Sequence, residues 1–141
     1  MYIRWVKRAH KNNLVADVVF HDAYLVESYR NEDGKPRQRT ITYLGNIRQI
    51  GNEFPIIERE LFLLRAENVL RCMLDLSPAD CEQILDQLHQ KVPPLSREEM
   101  MEGFQNTLRW YYYWWQKHGE PPTRSEIQHL IDRAKEGYDL W

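Results

Sequence analysis

The chain has 141 residues, 43% hydrophobic and 12% aromatic, with a formal net charge of -2. That is enough for one compact domain, or two small modules sharing a core, and it excludes a disordered or low-complexity chain. No apolar run is long enough to span a bilayer and no signal peptide precedes Met1-Tyr-Ile-Arg4, so the expectation is a cytoplasmic protein in a reducing compartment without a membrane partner.

The small net charge conceals an asymmetry. Up to Ile50 there are nine basic residues against five acidic ones, which leaves +4 there and -6 in the remainder. A basic N-terminal part joined to an acidic remainder points to one face for an anionic partner.

Tyr2 to Lys7 roughly alternates polar and apolar residues and reads as a strand, with basic residues following it. His10-Lys-Asn-Asn13 is a turn. Leu14 to Phe20 is a second β-rich run, which either pairs with the first strand or leads directly into a hairpin.

That hairpin is Tyr24 to Arg30, a turn Asn31-Glu-Asp-Gly-Lys35, and Pro36 to Gly45. Gly34 supplies the left-handed conformation that closes such a loop. If Arg30 lies opposite Pro36, then Glu27 faces Arg39, Leu25 faces Ile41 and Ala23 faces Tyr43. On the other side Ser28 faces Gln38, Val26 faces Thr40 and Tyr24 faces Thr42. The apolar pairs lie away from the turn. Near the tip are Arg30, Lys35, Arg37 and Arg39. A two-stranded ribbon with such a tip fits the major groove of DNA. Gly45 to Asn52, with two glycines, reads as the exit linker from the sheet.

Four helices are predicted beyond it. Pro55 opens the first, with a stripe of Phe62, Ala66, Val69, Leu70 and Met73. Ser77-Pro78 caps the second, whose stripe is Cys81, Ile84, Leu85 and Leu88, and Pro93-Pro94 stops it. Ser96-Arg-Glu-Glu99 is a capping box for the third. Its apolar residues are Met100, Met101, Phe104, Leu108, Tyr111, Tyr112 and Trp115, with a second stripe of Gly103, Thr107, Trp110 and Trp114 beside them. This spacing predicts a helix buried on more than one side, with Trp110, Trp114 and Trp115 in the core and Tyr113 exposed. Thr123 and Glu126 box the fourth helix, which Gly137 ends.

The fold class expected is therefore α+β: a three- to four-stranded antiparallel sheet with a basic hairpin over residues 1–50, then about four helices over residues 55–141, sharing one core. Cys72 and Cys81 lie inside helical patterns and read as small buried hydrophobes. The five histidines form no metal pattern, so neither metal nor cofactor is expected. The carboxylates sit on polar helix faces, and no phosphate loop, nucleophile elbow or metal helix appears, so the expectation is a protein that is not an enzyme.

Tyr24-Leu-Val-Glu-Ser-Tyr-Arg30, the Gly34-Lys35 turn, Arg37-Gln-Arg-Thr-Ile41 and Tyr43-Leu-Gly45 resemble the N-terminal segment of DDE-type insertion-sequence transposases. Those proteins often begin with a basic strand, as Met1 to Arg8 does here. The likeness covers about the first third of the chain, with Ala9 to Ala23 as extra connecting sequence. The catalytic domain of that family is not expected in this chain, so the likeness does not imply transposase activity. Pro121 to Ile127 resembles a segment of LexA-type winged-helix repressors, but its capping box explains it without DNA.

Two functions are expected from these features. One is a DNA-binding protein of mobile-element origin, contacting duplex DNA through Arg4, Lys7, Arg8, Lys11, Ser28, Arg30, Lys35, Arg37, Gln38, Arg39 and Thr40. The other is an interaction module that docks a protein partner through its acidic helical part.

Overall fold

The computed structural model describes residues 1–9 and 17–136. Lys11, the turn from His10, Leu14, Val15 and Gly137 lie outside them. The elements run β1 (Tyr2–Ala9), β2 (Val18–Arg30), β3 (Pro36–Ile50), α1 (Ile56–Arg71), α2 (Pro78–Lys91), α3 (Arg97–His118) and α4 (Arg124–Glu136). This is the α+β arrangement the pattern predicts, with three strands among the described residues. Two compact units are formed, Met1–Met100 and Met101–Trp141, so α1 and α2 share a unit with the sheet.

The sheet is antiparallel in the order β1-β2-β3. Val18 to Phe20 are simply the start of a long β2, and Phe20 pairs with Arg8 on one side and Arg48 on the other. The predicted register holds from Arg30↔Pro36 to Val26↔Thr40 and then slips twice. Leu25 pairs with Thr42 rather than Ile41, Tyr24 with Tyr43 rather than Thr42, and Ala23 with Gly45 rather than Tyr43. Each slip inserts one extra residue into β3, which bends the strand and re-aims the residues after it. Gly45 belongs to the second slip and has φ +130°, a conformation that disfavours any Cβ. It is a bend inside β3 and not the linker the two glycines suggested. The exit turn lies at Gly51, with φ +62°.

Pairing and alternation sort the side chains. Trp5, His21, Ala23, Leu25 and Ile47 face the helices, α1 lying against β3 and α2 against β1. The core joins Ala23, Leu25, Leu44 and Ile47 to Phe62, Ala66 and Leu70 of α1, and to Ile84, Leu85, Leu88 and Val92 around α2. Ser77 caps α2 by accepting from Asp80 N, with Pro78 at the first helical position. Cys72 is exposed and Cys81 half-buried, so the expectation of two buried cysteines is not met. Cys81 packs against the core, whereas Cys72 is the residue that ends α1.

The helices α3 and α4 correct a larger expectation. Both capping boxes form: Glu99 N donates to Ser96 Oγ, and Glu126 N to Thr123 Oγ1. Yet α3 has no buried residue. Trp110 is 59% exposed and Trp114 45%, and Trp115 is only half-buried. The aromatics pack along their own helix, Tyr111 on Trp115 at 5.5 Å and Trp114 beside His118 at 4.7 Å. Periodicity shows only which face of a helix could be buried.

Candidate nucleic-acid interface

The last partner of β1 on β2 is Val26, opposite Tyr2. Beyond it β2 and β3 continue alone as a two-stranded ribbon, from the Glu27↔Arg39 pair to Arg30↔Pro36. Four pairs at strand rise make a projection of roughly 13 Å before the turn. It has the proportions of a ribbon that enters a major groove about 12 Å wide.

The turn is closed by its own chemistry. Gly34 N donates to Asn31 O at 2.9 Å, Lys35 N to Asn31 Oδ1 at 2.8 Å, and Asn31 N to Lys35 O at 3.0 Å. Gly34 has φ +74° and nothing within 4 Å of where a Cβ would stand. Arg30 Nη1 donates to Gly34 O at 2.9 Å, which draws that guanidinium back over the loop. The apex itself presents Glu32 and Asp33, so the positive charge of the ribbon lies on its flanks.

The nominated residues fall on two faces. Arg4, Arg8, Ser28, Arg30, Gln38 and Thr40 share the face turned away from α1 and α2. Lys7, Arg37 and Arg39 point to the other face, and Lys35 sits in the turn. Several are already engaged. Arg39 is paired with Glu27 and lies over the Tyr29 ring at 5.7 Å. Arg8 is paired with Asp22 and lies over Phe20 at 5.3 Å. Lys35 and Arg37 make no ion pair among the described residues, and both are exposed. On the ribbon, where Arg30 is bonded to Gly34 O and Arg39 to Glu27, they are the cations left to meet phosphate or a base edge.

Two residues that sequence reasoning passed over complete the open face. Asp22 is 4% exposed, held by Arg8 through Nε and through Nη2 at 3.1 Å, and accepts from the Tyr43 hydroxyl at 2.7 Å. The hydrogen bond from Arg8 holds its carboxyl below the usual range, against the effect of burial. Burial, then the bond to Asp22, pushes the Tyr43 hydroxyl up to about 12. Asp22 two residues before Tyr24 was visible in the sequence, but the β1–β2 pairing that brings Arg8 to it and the slips in β3 that bring Tyr43 alongside were not.

Among the described residues no three His, Cys, Asp or Glu side chains are grouped as metal ligands, and no helix is long and apolar enough to cross a membrane. Residues 16–69 match the family model described as IS1634 family transposase, N-terminal domain. The match takes in β2, the turn, β3 and most of α1, and leaves β1 outside. It supports the resemblance to insertion-sequence transposases carried by the hairpin residues. No curated protein and no solved structure gives a match.

Proposed function

We propose that this is a non-enzymatic, cytoplasmic DNA-binding protein of mobile-element origin, which holds duplex DNA through the β2–β3 ribbon. The observation that carries the reading is the ribbon itself. It projects past β1 with Lys35 in its turn and Arg37 on its flank, both exposed. The likeness of residues 16–69 to a transposase N-terminal domain supports a nucleic-acid partner over an acidic protein surface.

Binding to phosphates releases counterions, so affinity for a duplex should fall steeply as salt rises. Fluorescence anisotropy on a labelled duplex across a salt series tests this. Affinity that stays flat from low to physiological salt would end the electrostatic reading. The same mixtures with added magnesium should show no strand cleavage.

A second reading draws on the exposed apolar residues of α3. Met101, Phe104, Trp110 and Trp114 stand open on an otherwise acidic helical part, which favours a protein partner there. Retention of the protein on heparin or DNA, compared with capture of a partner by α3 alone among the elements, separates the two.

A further inference from the structure

The open face of the sheet holds a surface that the ribbon does not use. Tyr24 and Tyr43 lie side by side across β2 and β3, ring centroids 5.1 Å apart and planes at 45°. Tyr43 is 45% exposed, yet its hydroxyl is tied down by the bond to Asp22, which is itself anchored by Arg8. A ring fixed at its polar end and bare on one side is preorganised for a flat partner. Arg4 lies over the Tyr24 ring at 5.3 Å and reaches Thr40 Oγ1 at 3.5 Å. Further out on the same face is Arg30. Asp22 is the acid that the register places on this face, and its charge is met by Arg8.

An exposed ring beside a half-buried one, with an arginine over it, suits a partner with flat π-faces and negative charge. In a duplex the base faces are stacked on one another and out of reach. In a single strand they are free, and stacking on aromatic side chains holds them without sequence preference. We propose that Tyr43, with Tyr24 and Arg4, is a stacking platform for the unpaired bases of a single-stranded nucleic acid, whose phosphates meet Arg4. This rests on the reading of the sheet as a nucleic-acid binder, but on another surface and another form of ligand.

The test measures a labelled oligo(dT) of about 15 nucleotides and a duplex in parallel. Tyr43→Leu should weaken oligo(dT) binding about tenfold, the loss of one stacked base, and leave duplex binding unchanged. Tyr43→Phe, which keeps the ring, should bind oligo(dT) nearly as the parent does. Lys35→Ala and Arg37→Ala should do the reverse, weakening the duplex and sparing oligo(dT). Should folded Tyr43→Leu bind oligo(dT) like the parent, the platform is refuted and the ribbon stands. Should the turn variants leave duplex binding intact, the ribbon is refuted and the platform stands. Photocrosslinking the unaltered protein to a 5-iodouracil strand removes any dependence on how the variants fold. Adducts should map to Tyr43 or Tyr24, and adducts confined to α3 or to the turn would overturn the proposal.

Discussion

Gln49 sets the tautomer of His21. The Gln49 Nε2 donates to Gly51 O at 3.0 Å, so its Oε1 is left facing the His21 Nε2, 2.8 Å away. The imidazole therefore carries its proton on Nε2. Its buried Nδ1 has no hydrogen-bond partner among the described residues, and Phe54 meets the ring edge-on at 5.2 Å. A proton on Nδ1 would have no acceptor.

Stability should accordingly depend on pH. Burial pushes His21 below its usual 6.5, the charges of Lys91 and Lys7 add to this, and the bond to Gln49 offsets part of it. The folded protein then binds this proton more weakly than the unfolded chain does. The contribution is present above pH 6.5 and is lost as pH falls from there through the lowered native value. Melting temperature measured across this range should be level near neutrality and decline below it, and His21→Leu should flatten that decline. A parent protein equally stable on both sides of the window would contradict the assignment.

The second expectation concerns the place where the sheet meets α1. Phe62 is buried against Trp5, ring centroids 5.8 Å apart, and its ring lies 3.7 Å from where a Cβ on Gly45 would stand. Phe62→Ala should cost about 3–5 kcal/mol, from lost burial and the cavity left behind. Gly45→Ala meets only ordinary contacts but must adopt a positive φ, for about 1–3 kcal/mol. Urea unfolding would show both, as shifted midpoints with unchanged slope. A Gly45→Ala protein as stable as the parent would mean that β3 does not need its bend.

The elements of this fold were legible because each carries its own local chemistry. Ser77 before Pro78, Ser96 with Glu99 and Thr123 with Glu126 mark helix starts in four residues or fewer, and all three caps form. The ribbon register was legible as far as Val26↔Thr40, because the turn around Gly34 fixes it. Beyond that point the register depends on two extra residues in β3, on the stretch where Leu44 and Ile47 join the core with Phe62, Ala66 and Leu70 of α1. Local pattern carries no trace of that packing. The face shared by Arg4, Arg8, Tyr24 and Tyr43 was hidden for the same reason: it exists only once β1 is paired and β3 has slipped.

The aromatic helix gives a third prediction, opposite to what its spacing implies. Trp110 is 59% exposed and its neighbour is Tyr111 on the same helix, 5.1 Å away. Trp110→Ala should therefore change stability by less than about 1 kcal/mol, where a core tryptophan would cost several. Thermal denaturation decides it. A large fall in melting temperature would place Trp110 in a core.

The last prediction separates positioning from readout on the ribbon. Lys35 is in the turn, exposed and without an ion pair, and a compact charge on a flexible stem suits phosphate. Lys35→Ala should weaken all duplexes about equally and reduce the salt slope by about one. Arg37 lies opposite Tyr29 and is also unpaired, so its planar fork is free to meet a guanine edge. Arg37→Ala should cost roughly 1–3 kcal/mol and relax preference at one position. Arg39 shares that face, but its pairing with Glu27 and its place over Tyr29 tie it to the ribbon. Arg39→Ala should thus act partly through the strand pair, and Glu27→Gln should loosen Arg39 without removing its charge. Selection from randomised duplexes with the four variants distinguishes these roles. If Arg37→Ala leaves both affinity and the selected sequence unchanged while Glu27→Gln alters them, Arg39 is the reading residue and Glu27 its holder. If none of the four changes either quantity, the ribbon is not what meets DNA.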